Sequence, residues 1–419
     1  MAYENNHYVP QFILRRFGEK LNRYNVETGD IKCKGSLINA FSAKNIYPQW
    51  LEKMLGDLES RMANLIDNKV LKEKETVNLS KEDNWLIKKF FTIATLRVPD
   101  TSIKTMKHLD TEESLEKMGF KEKNIENETN DEYLYRTMKV VLESNKLEEV
   151  YSHEFVTYEA CKWATLYNNC FISIWDSNDV KEDFIITDNG MNCEHDKTRF
   201  LHFNFDGKEY VNNRDEMLKK GYVLKKIEEC RYPKKIFLYS DLLKNMDYVH
   251  ANYYIFAVSN TRTISLINPF YRLYYDESYI NVLGETPDVW PSVLSKEALE
   301  ANTCICKKNG EITSYKYKVK NLSLDDVIIV NNMMLDRVFM WMGFDNSSKI
   351  CRSINVYLMM EKEFQRKNYV KLKEYLYSLG NEFPQSKKLI DIHNKICSYN
   401  FTPNEIDYVK HFYYSIIKE

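Results

Sequence analysis

Glycine and proline are scarce in this 419-residue chain, at 12 and 9 residues. That leaves little room for long flexible linkers or for collagen-like and low-complexity stretches. No apolar run approaches the roughly eighteen residues that would cross a bilayer, so no membrane partner is expected. Neither sign of charge dominates: 59 Lys and Arg face 61 Asp and Glu, a net charge of −2. Such a balance gives no general attraction to nucleic acid, although a local basic patch is allowed. The nine cysteines are scattered. The first eighteen residues carry arginines where a secretory signal would be apolar, and a cytoplasmic chain with free thiols is expected.

Familiar signatures are missing as well. The chain has no Gly-x-x-x-x-Gly-Lys-Ser/Thr phosphate loop and no Gly-x-Gly-x-x-Gly fingerprint. It has no Gly-x-Ser-x-Gly elbow, no kinase set and no zinc metallopeptidase helix. Most common enzyme classes are thereby disfavoured.

What is present begins with a core. Hydrophobic residues make up 44% of the chain, with 30 Tyr and 21 Phe. This is enough for two or three domains, or for one large domain with an appendage. The periodicities predict an α+β fold: a central, largely antiparallel sheet flanked by helices, with a C-terminal helical subdomain. We place the main α+β domain at 1–345 and a helical appendage at 346–419. The first contains an acidic helical lobe at about 100–150 and a polar insertion at about 193–231.

The densest stretch runs from Asn5 to Gly18. Pro10 suits the first position of a helix, and Phe12, Ile13 and Phe17 form an inward stripe at helical spacing. Gly18 is a natural stop. His7 then lies just before a helix N-terminus, where a neutral imidazole or a nearby anion is favoured. It either caps and packs the chain start or serves a site. Arg15 is a candidate phosphate contact in the same stretch.

Leu21–Val26 and Ile31–Lys34 flank Glu27-Thr28-Gly29-Asp30 and predict a hairpin. A helix follows over about 48–70, with Leu51, Leu55, Leu58, Met62 and Leu65 on one stripe. Glu52 and Glu59 share an edge of that stripe. They are either a solvated helix edge or a pair able to bind a divalent metal with a third ligand. Ser80 and Asp83 form a capping box for a helix ending at Arg97-Val98-Pro99. Arg97 is a candidate anion ligand or a C-terminal dipole partner.

The acidic stretch 109–150 predicts exposed helices near Ser114–Met118 and Tyr133–Leu147, unsuited to lining a nucleic-acid groove. A helix over Glu154–Asn169 precedes strands at Cys170–Trp175 and Phe184–Thr187. Asp188, Asn189 and Gly190 at the end of the second strand either brace a turn or present an acid and an amide to a site.

Further strands are predicted at Lys235–Tyr239, Tyr253–Ser259 and Thr263–Ile267. Cys193, Glu194, His195 and His202 lack the spacing of a zinc frame. Cys304-Ile305-Cys306 alternates across a strand and is read as inert. A long helix is expected from Ser323 to about Gly343, followed by helices over Gln365–Leu379, Gln385–Ile396 and Pro403–Ile417. The last three offer a surface for a protein partner or a homo-oligomer.

The opening His7-Tyr8-Val9-Pro10-Gln11-Phe12-Ile13-Leu14-Arg15-Arg16-Phe17 resembles the start of a mainly bacterial family known as domain of unknown function 4238. That family typically opens His-Tyr-Val-Pro-Gln-Phe-Tyr-Leu-Arg-x-Phe, so Ile13 stands where tyrosine is usual. Several later stretches are similar to it more loosely. They are Asn45-Ile46-Tyr47 with the paired glutamates, Arg97-x-Pro99, Thr187-Asp188-Asn189-Gly190, and the helix carrying Asn331 and Asn332.

The resemblance implies that these distant segments converge on one site. In that reading His7, Glu52, Glu59 and Asp188 are catalytic, and Glu52, Glu59 and Asp188 hold Mg2+ or Mn2+. Arg15, Arg97 and Asn189 contact phosphate on a nucleic acid or nucleotide bound in a local cleft. The expectation is a metal-dependent phosphodiesterase or nuclease-type effector, in anti-phage defence or a toxin-like system. Two alternatives stay open: a non-enzymatic interaction module whose motifs are fasteners, and a metal-independent nucleotide-modifying enzyme.

Overall fold

The structure, a computed structural model, describes residues 5–44, 46–97, 125, 127–178, 180–189, 191–202, 248–267, 294–300, 303–359, 367–386 and 389–390. β1 (Asn5–His7) pairs antiparallel with β4 (Ser42–Lys44), His7 opposite Ser42. Between them lie α1 (Gln11–Leu14) and the hairpin β2 (Leu21–Asn25) and β3 (Ile31–Gly35). The helix expected up to Gly18 is one α-helical turn followed by a 3-10 turn at Arg15–Phe17. Pro10 caps it from outside, its carbonyl accepting from the amides of Ile13 and Leu14. Of the expected inward stripe, Ile13 and Phe17 are fully buried, as is Leu14 beside them, while Phe12 is half-buried. The hairpin turns at Gly29, whose φ of +77° suits glycine.

α2 (Gln49–Leu65) and a following π-turn at Ile66–Val70 fill the span predicted for one helix, with the five predicted stripe residues buried. β5 (Thr76–Ser80) leads into α3 (Lys81–Leu96). The capping box forms as predicted: the Asp83 amide donates to Ser80 Oγ at 3.1 Å and the Ser80 amide to Asp83 Oδ2 at 2.8 Å. In the acidic stretch, α4 (Asn130–Glu143) is not the exposed helix expected. Tyr133, Leu134, Met138, Val140 and Val141 bury one face of it. Apolar residues recur at every third or fourth position and Arg136 and Thr137 are buried with them, which charge counting alone conceals. The helix expected at Ser114–Met118 lies outside the described residues. α5 (Leu147–Tyr151) and α6 (Tyr158–Asn169) follow.

The main sheet collects β6 (Phe171–Asp176), β8 (Met191–His202), β9 (Tyr248–Ala257), β10 (Arg262–Ile267), β11 (Thr303–Lys308) and β12 (Glu311–Asn321). Its order is β11-β12-β6-β10-β9-β8, with β5 also on β12. Among the described residues only β12 and β6 run parallel, so the sheet is largely antiparallel, as predicted. α3 and α6 cover one face, where Phe90 meets Phe256 and Tyr167 meets Tyr254 edge-on at 5.1 and 4.8 Å between ring centroids. A short helix, α7 (Lys296–Leu299), leads into β11. The strand at Lys235–Tyr239 falls outside the described residues, as do the side chains of Cys193, Glu194, His195 and His202.

β7 (Ile186–Thr187) joins a second sheet of order β3-β2-β13-β7. The helix expected to reach Gly343 stops early. α8 (Leu324–Arg337) gives way to β13 (Trp341–Phe344), which pairs with both β2 and β7. Gly343 is needed at the centre of that sheet: a Cβ there would stand 2.7 Å from Leu21 Cδ2 and 3.1 Å from Ile186 Cγ2.

α9 (Cys351–Met359) and α10 (Val370–Ser378) come last among the described helices. Leu372 and Leu376 of α10 are buried in the same core as β2, and Tyr24 Oη donates to the Asn368 carbonyl at 2.9 Å. Most of the helix predicted at 385–396, and all of that at 403–417, lie outside the described residues. Among the described residues no helix is long and apolar enough to cross a membrane.

Candidate active site around His7

Arg97 ends α3 and turns its guanidinium into the protein, where the residue is only 4% exposed. Nη1 meets Glu59 Oε1 at 2.5 Å, Nη2 donates to the His7 carbonyl, and Cζ lies 5.9 Å from the Tyr47 ring centroid. One buried cation therefore ties α3 to α2, to β1 and to the loop before α2. Burial opposes the charge, but Glu59, Tyr47 and Glu52 outweigh it and hold the guanidinium above its ordinary value. Tyr47 is set by Asn6, whose Oδ1 accepts the amides of Ile46 and Tyr47 at 2.5 and 3.4 Å. Tyr135 donates to the Ile46 carbonyl at 2.6 Å and fixes the same loop from α4. Burial pushes the Tyr47 phenol up to about 12, Arg97 works against this, and Glu52 and Tyr8 add to it.

His7 has a partner on each ring nitrogen. Nδ1 is 3.0 Å from the Ala40 carbonyl, which can only accept, so Nδ1 carries the proton. Nε2 is then the acceptor and lies 2.9 Å from Gln11 Nε2. With the amide assigned this way by its hydrogen bonds, Gln11 Oε1 receives Arg15 Nη2 at 3.3 Å. The relay Arg15–Gln11–His7 thus runs from an exposed arginine to a half-buried imidazole. Burial pulls the His7 pKa below 6.5, with Ala40 and Glu59 opposing and Arg97 assisting. The resting imidazole is neutral, with a basic Nε2.

Asp188 does something different. Oδ1 accepts the Phe339 amide at 2.9 Å, and Oδ2 accepts those of Met340 and Trp341 at 2.6 and 2.8 Å. Three backbone donors converge on one carboxylate, which braces the entry to β13. Burial raises its pKa and the three amides oppose the rise. Its charge still reaches Tyr8, whose phenol is raised first by burial and then by Asp188. Asn189 donates through Nδ2 to the Arg337 carbonyl at the end of α8.

The structure brings His7, Glu59 and Arg97 into one hydrogen-bonded network. Glu52 acts on that network electrostatically through Tyr47 and Arg97, and Asp188 through Tyr8. Arg15 connects from the surface, while Asn189 belongs to the α8 terminus. The proposed metal set is not assembled. Among the described residues no three His, Cys, Asp or Glu side chains stand together as a metal site requires. Glu59 is committed to Arg97 and both Asp188 oxygens to amides, so these donors do not fit a Mg2+ or Mn2+ shell. Sequence reasoning passed over Gln11, Tyr8 and Tyr47. The four-residue spacing of His7 and Gln11 was the available signal for the first. For the tyrosines the signal was their place inside the motifs themselves, Tyr8 in the opening stretch and Tyr47 in Asn45-Ile46-Tyr47.

A mixed α+β fold stitched at its N-terminus by a buried arginine, a helix glutamate and a histidine strand defines a module built from distant motif segments. Residues 5–212 match the model of the family described as Protein of unknown function (DUF4238), and through this segment the chain belongs to that family. Comparison with curated proteins and with solved structures gives no match.

Proposed function

We propose that this chain is a phosphodiester-directed enzyme of the nuclease or nucleotide-modifying type, working through His7 without a resident Mg2+ or Mn2+. One observation carries the reading. The Nδ1–H of His7 is committed to Ala40, leaving a basic Nε2 held by an amide that an incoming substrate can replace. In this reading Nε2 takes the proton from an attacking water or substrate hydroxyl, and Arg15 holds a phosphate oxygen. Arg97, Glu59 and Tyr47 keep the strand carrying His7 in place. Such an activity suits a defence or toxin-like effector.

A second reading has its own support. Arg97 and Asp188 are directed to protein groups, as fasteners of a non-enzymatic interaction module would be. Purified protein assayed on DNA, RNA and nucleotides with a chelator present separates the two. We expect activity that survives the chelator and falls at least about 100-fold in His7→Ala, with an unchanged thermal midpoint. Inactivity on all three substrate classes, or a His7→Ala variant as active as the parent, overturns the enzyme reading in favour of the fastener.

A further inference from the structure

β11 forms one margin of the main sheet and, among the described residues, pairs only with β12. Cys304 is exposed and Cys306 half-exposed. Two residues apart on a strand, their side chains leave the same face. On the opposite face Ile305, itself 38% exposed, sits across from the half-buried Tyr315. On the cysteine face Cys304 is opposite the exposed Lys316 and Cys306 opposite the half-buried Ser314. The face continues onto β5, where Lys316 is opposite the exposed Asn78. No carboxylate lies directly across from either thiol.

The spacing decides what such a pair can do. Two residues along a strand advance about 6.7 Å. The Cβ atoms of a disulfide must stand within about 4.5 Å, so these two thiols cannot bond to each other while β11 keeps its ladder. A bridging ion relaxes that demand. With metal–sulfur bonds of about 2.3 Å, two sulfurs in a linear arrangement stand about 4.6 Å apart. Side chains leaning towards each other by about 1 Å apiece reach that separation from the strand spacing. A linear two-sulfur shell excludes Zn2+, which takes four ligands, and fits a soft monovalent ion.

We infer that Cys304 and Cys306 form a surface two-thiolate site for a soft monovalent cation of the copper(I) class. Binding releases two protons and leaves a complex of charge −1, which the ammonium of Lys316 across the ladder offsets. No oxidation or reduction occurs. The site lies on the edge of the main sheet and is independent of His7 and its chemistry. It also revises the expectation that the Cys-x-Cys is inert.

The test uses the full chain, reduced and anaerobic, titrated with copper(I) against a chromophoric copper(I) chelator. Parent protein is expected to hold one copper(I) more than Cys304→Ser, Cys306→Ser or the double variant, all three having lost it equally. Cys33→Ser, which changes the other exposed described thiol, should leave uptake unchanged. X-ray absorption at the copper edge should give two sulfur neighbours. Thermal midpoints should match across the set, because serine for cysteine on an exposed face disturbs no core. Uptake unchanged in either single variant, a half-loss in each, or three or more sulfur neighbours overturns the inference. If a variant unfolds, the sulfur count on the parent alone decides.

Discussion

Burial acts in opposite directions on His7 and Glu182. His7 is pulled below its ordinary value, whereas Glu182 is pushed up to about 7 by burial, with Ser353 opposing. Glu182 Oε1 accepts the Ser353 amide and hydroxyl at 2.8 and 2.6 Å, while Oε2 is buried without a partner. The sign follows from linkage. A carboxyl raised on folding binds its proton more tightly when folded, so its contribution is full below 4.5 and is lost as pH rises through about 7. Glu182→Gln should remove that slope and make the protein more stable than the parent near pH 8, by up to about 3 kcal/mol. Urea unfolding between about pH 5 and 8 checks this, and parallel curves for parent and variant would refute it. For His7 the logic reverses. Its contribution is present above 6.5 and is lost as pH falls from 6.5 through the lower folded value.

At the scale of elements, the ladder between β7 and β13 depends on Asp188. The carboxylate is the partner of three consecutive amides at the point where the chain leaves α8 and becomes β13. Asp188→Asn keeps the shape but turns an N–H towards donors. We expect a loss of about 3 kcal/mol in chemical denaturation, with the secondary structure otherwise retained. A loss below about 0.5 kcal/mol would show that β13 holds its register without the carboxylate. Reading Asp188 as a turn brace from the sequence was therefore closer to its observed contacts than reading it as a metal ligand. The sequence still hid β13 itself. Trp341, Met342 and Phe344 continue the apolar run of α8, and only the amide demand on Asp188, a contact across 150 residues of chain, marks where the helix stops.

For the whole molecule, local pattern and distant partnership were legible to different degrees. The α2 stripe, the α3 capping box and the β2–β3 hairpin depend on neighbours within a few residues, and the sequence displays them. The network around Arg97 joins residues 7, 47, 59 and 97, and no spacing rule links them; only the family resemblance pointed there. The late helices show the same division. α10 could be placed from its periodicity, but not its docking on β2 through Tyr24 and Tyr369, whose rings lie 5.7 Å apart. Leu372 is fully buried in that shared core. Leu372→Ala should cost about 2–5 kcal/mol and lower the unfolding midpoint of the sheet that holds β2, as seen by hydrogen exchange at Leu21–Asn25. Exchange there unchanged, with α10 alone released, would mean that the late helices are energetically separate from the rest.

The central claim concerns one imidazole, and it can be tested before any substrate is known. Nitrogen-detected NMR of the His7 ring, titrated through the acid range, gives its tautomer and pKa together. The structure requires a proton on Nδ1, a bare Nε2 at neutral pH and a midpoint below 6.5. A proton on Nε2, or a midpoint at or above 6.5, would contradict the account of His7 as the base of this site.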